Sequence, residues 1–201
     1  MVQTGKSRRR SAAAPNRAAQ ARVLRIIGGT WRGRKLRFPP SPEIRPTPDR
    51  VRETLFNWLA PRVPGARCLD LFAGSGALGL EALSRGAAHV TFVEQDAAAV
   101  RELRARLSEW HASGAHVEQA DALRFLSRPA EPFDIVFLDP PFASDLLPES
   151  AALLEARQWL APGALIYVEC PARTGLPPLP EGWVPAKAKQ AGEVRYYLYV
   201  G

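Results

Sequence analysis

Four consecutive residues, Asp139-Pro140-Pro141-Phe142, carry the most specific chemistry in the chain. They follow Phe133-Asp134-Ile135-Val136-Phe137-Leu138, a short apolar run that reads as a buried strand. A carboxylate at such a strand end can accept an N–H from an exocyclic amine. Each proline fixes its φ and lacks an N–H, so the loop offers carbonyl acceptors and almost no donors. Proline also holds the residue before it extended, which fixes Asp139 and Pro140. Phe142 supplies a ring on which a flat base can stack. Together these groups suit a nucleobase bearing an amino group. The plain alternative is a strand that ends in an ordinary Pro-Pro turn.

A second stretch argues against that alternative. Cys68-Leu69-Asp70-Leu71-Phe72-Ala73-Gly74-Ser75-Gly76-Ala77-Leu78-Gly79 is an apolar strand, a glycine-rich turn and a helix start. Gly74 and Gly76 permit positive φ and close backbone approach to a ligand, and the helix N-terminus behind them carries partial positive charge. Taken literally, Gly74-x-Gly76-x-x-Gly79 is the dinucleotide fingerprint, with Glu94 standing 20 residues after Gly74, where a ribose-binding acid belongs. A nicotinamide-binding oxidoreductase is therefore one reading. Asp70, four residues before the first glycine, is an odd neighbour for a pyrophosphate. A second acid, Asp121, follows the expected third strand of the sheet. The Asp-Pro-Pro-Phe loop has no evident part in hydride transfer.

The elements that must position these residues follow from periodicity. Val23 to Ile27 and Lys35 to Phe38 flank a glycine-containing turn and suggest a small hairpin. A proline-rich linker runs from Pro39 to Pro48. Thr47 suits a helix N-cap with Pro48 at the first helical position. The helix after it places Val51, Leu55, Trp58 and Leu59 on one face. Strands near 67–72, 89–94, 115–119, 134–138 and 164–169 then alternate with helices near 77–85, 97–111, 121–127 and 146–159. That alternation predicts a mainly parallel sheet with helices on both faces. Segments 183–189 and 194–200 flank Gly192 and read as a closing hairpin with an antiparallel last strand. In such sheets ligands bind at the carboxyl ends of the strands, where every acid singled out above lies.

Asp70-Leu-Phe-Ala-Gly-Ser-Gly-Ala-Leu-Gly-Leu-Glu-Ala82, Val93-Glu-Gln-Asp96 and Asp139-Pro-Pro-Phe142 resemble the motifs of class I S-adenosylmethionine-dependent amino-methyltransferases. Arg25-Ile-Ile-Gly-Gly-Thr-Trp-Arg-Gly-Arg-Lys-Leu36 and Arg45-Pro-Thr-Pro-Asp-Arg-Val-Arg-Glu-Thr-Leu-Phe-Asn-Trp58 narrow the resemblance to the RsmD-type 16S ribosomal RNA (guanine-N2)-methyltransferases. It runs from about Val23 to the C-terminus. It implies an α/β fold with a Rossmann-like, mainly parallel seven-stranded sheet, an antiparallel last strand and a small N-terminal β-hairpin. The expected organisation is a basic, disordered extension (1–22), a hairpin and linker (23–47) and a methyltransferase domain (48–201). The resemblance further implies S-adenosylmethionine as cofactor and S-adenosylhomocysteine as product, with no metal. Asp70 would reach the methionyl ammonium, and Ala73, Gly74 and Gly76 would let the backbone approach. Glu94 would accept the ribose hydroxyls, with Gln95 beside it. Asp121 and the Ala122 N–H would hold the adenine edge. Asp139 would border the cofactor as well as the base.

The chemistry expected of that site follows from the substrate. The exocyclic amine of guanine is a poor nucleophile because its lone pair is delocalised into the ring. The Asp139 carboxylate and the Pro140 carbonyl can bond its two hydrogens and free the lone pair for in-line attack on a sulfonium methyl, with Phe142 holding the flipped base. Arg32, Arg34, Lys35 and Arg37 are the expected phosphate contacts. Arg45, Thr47 and Arg50 would close over the methionyl carboxylate or touch RNA, a plain helix-surface role being open for Arg50. By resemblance the target is the guanine conventionally numbered 966, in an assembled or assembling small ribosomal subunit. A DNA amino-methyltransferase would share the Asp-Pro-Pro-Phe loop but needs a sizeable extra readout domain, and nothing between the motifs is long enough for one.

Charge is distributed as an RNA-binding protein would need it. Residues 1–37 hold 11 of the 27 Lys and Arg and no acid, leaving 16 bases against all 20 acids in the rest. The net +7 thus belongs to the N-terminal arm, which suits gripping phosphates at one end. No 18-residue apolar run exists for a membrane span, and no apolar stretch follows the basic start as in a signal peptide. Cys68 and Cys170 sit in apolar segments with no ligand spacing and read as buried thiols of a reducing, cytoplasmic compartment. His89, His111 and His116 form no metal pattern with nearby acids. A monomer is expected.

Overall fold

The computed structural model describes residues 22–38, 47–141 and 145–201. Strands β1 (Arg22–Arg25) and β2 (Lys35–Phe38) pair antiparallel as a separate two-stranded hairpin. Helix α1 (Asp49–Leu59) follows. The chain then alternates through β3 (Arg67–Asp70), α2 (Ala77–Ser84), β4 (His89–Glu94), α3 (Ala97–Glu109), β5 (Ala115–Gln119), α4 (Ala122–Leu126), β6 (Phe133–Leu138), α5 (Leu146–Ala156) and β7 (Leu160–Pro171). It closes with β8 (Val184–Ala191) and β9 (Val194–Val200).

The large sheet has the order β5-β4-β3-β6-β7-β9-β8. Strands β3 to β7 pair in parallel, and β9 enters antiparallel between β7 and β8. From β3 the chain builds outward to β4 and β5, then returns to lay β6 on the other flank of β3. That reversal opens a crevice at the carboxyl ends of β3 and β6, where sheets of this kind bind ligands. Alternation along each strand feeds two cores. Ile135, Phe137 and Tyr167 join Leu55, Phe56 and Leu80 on one face. Val136, Leu138, Ile166 and Val168 join Leu126 and Leu154 on the other. Both faces are covered, as expected of strands that read as continuous apolar runs.

Three local expectations change. Thr47 does not cap α1: Pro48 occupies the cap without any side-chain hydrogen bond, and the Thr47 hydroxyl is spent elsewhere. The buried face of α1 comprises Val51, Arg52, Leu55, Phe56 and Leu59, while Trp58 is half-buried beside Tyr196 with ring centroids 5.5 Å apart. Strand β7 starts four residues earlier than periodicity suggests, because Pro162-Gly163 forms part of an irregular strand start instead of a separating turn; the Gly163 N–H donates to Gly201 O at 3.1 Å.

The hairpin is fastened to the body by two groups on α2. Glu81 is fully buried and accepts the Ile27 and Gly28 N–H groups, each at 2.8 Å. It also pairs with Arg85 at 2.8 Å and with the fully buried Arg52 at 3.5 Å. Arg52 in turn donates to Arg25 O at 2.8 Å and to Asp49 at 2.7 Å. Ser84 Oγ accepts the Trp31 N–H and donates to Gly28 O. The approach is so close that a Cβ on Gly29 would lie 1.8 Å from Ser84 O, so only glycine fits there.

Candidate active site

The crevice is built from strand ends and the turns that follow them. After β3, Asp70 is 3% exposed, and its Oδ2 accepts the Gly79 N–H of α2 at 2.9 Å. Burial is the main cause that lifts its carboxyl to about 7; the Gly79 N–H opposes this, and the charges of Asp139 and Glu94 add to it. Asp70 therefore ties the start of α2 to the end of β3 from beneath the turn.

The turn itself divides the work among its glycines. At Gly74 (φ +50°) a Cβ would meet nothing nearer than Phe72 O at 4.0 Å, so the backbone faces open space. At Gly76 (φ +75°), the left-handed residue that begins α2, a Cβ would lie 2.6 Å from Leu103. Gly79 has a third reason: a Cβ there would lie 2.2 Å from Phe92 of β4, so its absence lets helix and strand close up. Ala73 is buried, its N–H donating to Val93 O at 3.0 Å.

Glu94, half-buried at the end of β4, clamps this turn. Its Oε2 accepts the Gly74 N–H and its Oε1 the Asp96 N–H, both at 2.8 Å. Gln95 beside it is exposed. Asp121 caps α4, accepting the Arg124 N–H at 3.0 Å, with Ala122 buried behind it. The cap and a ligand-facing role are compatible, since a carboxylate has further lone pairs.

Asp139 leaves β6 half-buried, followed by buried Pro140. The Thr47 hydroxyl, itself almost fully enclosed, donates to Asp139 Oδ2 at 3.0 Å. Burial pushes the Asp139 carboxyl up to about 6, with the Thr47 hydroxyl pulling it down. Phe142 lies outside the described residues, so its stacking role stays an expectation. Asp139, Asp70 and the Glu94-held turn thus meet around one crevice, with Asp121 at the neighbouring strand end.

The expected phosphate contacts fall elsewhere. Arg32, Arg34 and Lys35 are exposed on the hairpin. The Arg34 guanidinium lies 5.3 Å from the Trp110 ring centre, and Trp110 packs against Trp31. Arg50 is exposed near the start of α1. Arg45 and the side chain of Arg37 lie outside the described residues. Among the described residues, no three His, Cys, Asp or Glu form a metal-holding group, and no helix is long and apolar enough to cross a membrane.

Periodicity missed several residues that matter here. Glu81 is the lone charged residue of the helix Ala77–Ser84, a signal that could have marked it. Arg52 reads as a surface base beside the apolar stripe of α1, yet it is fully buried. Glu169, 4% exposed at the end of β7, reads in sequence as one more strand-end acid.

A mainly parallel sheet of this order, with an antiparallel β9 inserted and a glycine turn clamped by an acid at the end of β4, is the class I methyltransferase architecture. Residues 24–200 match the family model described as Conserved hypothetical protein 95. The chain is 54% identical over 185 residues to ribosomal RNA small subunit methyltransferase D of Escherichia coli K12, covering 92% of this chain and 93% of that one. The protein of that name from Haemophilus influenzae is 48% identical over 180 residues, covering 88% and 93%. A solved Escherichia coli methyltransferase structure, YhhF, superposes with a TM-score of 0.82 at 53% identity, covering 89% of this chain and 97% of that one. The chain belongs to this family of ribosomal RNA small subunit methyltransferases.

Proposed function

We propose that the protein transfers a methyl group from S-adenosylmethionine to the exocyclic N2 of a guanine in 16S ribosomal RNA, presented by the small ribosomal subunit. The observation that carries this reading is Asp139: a carboxylate at a strand end, fixed by Thr47, followed by a proline carbonyl, and facing the same crevice as an open glycine turn.

The crevice fits the cofactor. Gly74 leaves room for close approach, and Asp139 offers negative charge to a cationic ligand, whose own charge would draw the Asp70 carboxyl back toward its ionised form. When bound, S-adenosylmethionine supplies a methyl group already activated on a sulfonium. The chain's own groups do the rest. Glu94 holds the Gly74 turn and keeps lone pairs for ribose hydroxyls. Asp121 and the Ala122 N–H receive the adenine edge. Asp70 steadies the turn and presents negative potential toward the ammonium. Asp139 and the Pro140 carbonyl accept the two amine hydrogens, which orients the lone pair and stabilises positive charge as it develops. Asp139 is the nearest base for the proton that the methylated amine releases. The basic hairpin, fixed on Glu81 and Ser84, supplies phosphate contacts through Arg32, Arg34, Lys35 and Arg37, joined by Arg45 and Arg50.

The test is methyl transfer from labelled cofactor to small subunits from a strain lacking the gene, with the product nucleotide mapped by mass spectrometry. N2-methylguanine at a single position supports the reading. Methylation of adenine or cytosine, or none, overturns it.

A further inference from the structure

Glu169 is a buried acid that the mechanism above does not use. It is 4% exposed and stands at the carboxyl end of β7. Strands β6 and β7 pair in parallel with Phe137 opposite Tyr167 and Leu138 opposite Val168. The next step of that register sets Asp139 beside Glu169. Tyr167, fully buried two residues back, donates its hydroxyl to Glu169 Oε2 at 2.7 Å. No Lys or Arg forms an ion pair with either acid among the described residues.

Two carboxylates side by side in a poorly solvated site do not both ionise; one keeps a proton. Geometry decides which. Asp139 is half-buried, faces the crevice and receives the Thr47 hydroxyl. Glu169 is the deeper of the two. Its other charged and titratable neighbours do not supply a positive charge: Tyr196 of β9 is directly across from it, and Arg195 turns its Nε to Gln190 at 3.0 Å. Asp70 of β3 faces Asp139 from the other flank and adds only negative charge.

We propose that Glu169 is a positioning residue that holds a proton at neutral pH, so that Asp139 remains the ionised member of the pair and can accept the substrate amine. The proposal rests on the reading of Asp139 as the amine-binding carboxylate. The titration tendencies agree with the geometry. Burial first, and then the Asp139 charge, push Glu169 up to about 8, against the pull of the Tyr167 hydroxyl. Asp139 ionises before it. The carboxylate that faces the crevice is thus charged across the neutral range while the acid behind it is not.

Below an ordinary glutamate pKa of 4.5 both folded and unfolded chains hold this proton. As pH rises from 4.5 to about 8 the unfolded chain releases it and the folded one does not, so Glu169 makes the protein progressively less stable; above about 8 the cost is constant. Glu169→Gln mimics the neutral acid and lacks this cost.

Two measurements test the proposal. Melting temperature is followed from pH 5 to 9 for the wild type and Glu169→Gln. The variant's advantage should grow with pH, reaching about 5 °C or more near pH 8, then level off. A difference that does not change with pH overturns the proposal. This readout needs no RNA, so it stands or falls apart from the assigned reaction. Single-turnover methyl transfer is then followed from pH 5 to 9. Glu169→Ala, which removes the protonated partner and admits water, should move the acid limb set by Asp139 by about half a unit or more toward lower pH, and the neutral mimic Glu169→Gln should return the limb to its wild-type position. An acid limb that Glu169→Ala leaves in place, or a loss of about 30-fold or more in Glu169→Gln at pH 7 with S-adenosylhomocysteine affinity intact, would overturn the proposal. Should Glu169→Gln not fold, Tyr167→Phe serves instead. It removes the hydroxyl that favours the Glu169 charge, so its melting temperature should keep falling beyond pH 8 where the wild type levels off. A curve parallel to the wild type counts against the proposal.

Discussion

The Thr47 hydroxyl donates a 3.0 Å hydrogen bond to Asp139 Oδ2, joining two residues 92 positions apart in the chain. Thr47 introduces α1, and Asp139 ends β6. The link ties the segment between the basic hairpin and the body to the carboxylate proposed to meet the base. It makes Thr47 a part of the site instead of a helix cap.

Replacing Thr47 with Val removes the donor and keeps the shape. The hydroxyl favours the ionised carboxylate, so its loss raises the Asp139 pKa above about 6. A hydrogen bond to a charged group contributes about 1.5–3 kcal/mol, and one unit of pKa corresponds to about 1.4 kcal/mol. The acid limb of the rate profile should therefore move about one unit toward higher pH. Activity at pH 6.5 should drop about threefold and largely recover at pH 8.5. A profile that overlies the wild type would show that Thr47 does not tune Asp139.

Glu94→Ala should weaken S-adenosylmethionine binding far more than it slows the chemical step. Contacts to ribose are the same in ground and transition states and act as uniform binding. The structure adds a second reason, because Glu94 also secures the Gly74 N–H and so shapes the turn. Calorimetry should show affinity reduced by about tenfold or more, with the single-turnover rate at saturating cofactor within a few-fold of wild type. Unchanged affinity would contradict the ribose role and leave Glu94 as an ordinary strand-end acid.

The order of helices and strands was legible because the central strands β3, β4, β6 and β7 are short apolar runs separated by helix-length segments. The antiparallel closing hairpin was legible from Gly192 and the flanking aromatic-rich strand Val194–Val200. Glu94 and Asp139 were legible because each stands one step past an apolar run, and Asp70 because it is the lone acid ahead of the glycine turn. What periodicity cannot carry is which distant groups meet. Thr47 reads as a cap because Ser and Thr usually satisfy a helix start, and only the tertiary fold sends its hydroxyl to Asp139. Arg52 looks like a surface base until Glu81 and Arg25 O enclose it, so it offers no charge to RNA. The pairing of Asp139 with Glu169 depends on the register between β6 and β7, which no local pattern encodes.

The N-terminal arm should supply most of the salt-sensitive RNA affinity. Every net positive charge of the chain lies in residues 1–37. Changing Arg32, Arg34, Lys35 and Arg37 together to Ala should weaken subunit binding and flatten its dependence on log salt by roughly 0.7–0.9 per lost phosphate contact. Because Arg34 also lies over Trp110, the single Arg34→Ala variant should lose some thermal stability as well as affinity. S-adenosylhomocysteine affinity should not change, since the crevice lies elsewhere. Deleting residues 1–20 should do less than the fourfold change. An unchanged slope in the fourfold variant would shift the RNA contacts to body residues such as Arg50 and Lys187.

The most direct test of the account is Asp139→Asn. The amide is nearly isosteric, but it has no charge and presents a donor as readily as an acceptor. Small subunits from a strain lacking the gene are mixed with enzyme and saturating labelled cofactor, and a single turnover is followed, with S-adenosylhomocysteine affinity measured in parallel. The account predicts affinity within about threefold of wild type and a rate lower by about 100-fold or more, the usual loss when one such electrostatic contact is removed. Methyl transfer at the wild-type rate would contradict it.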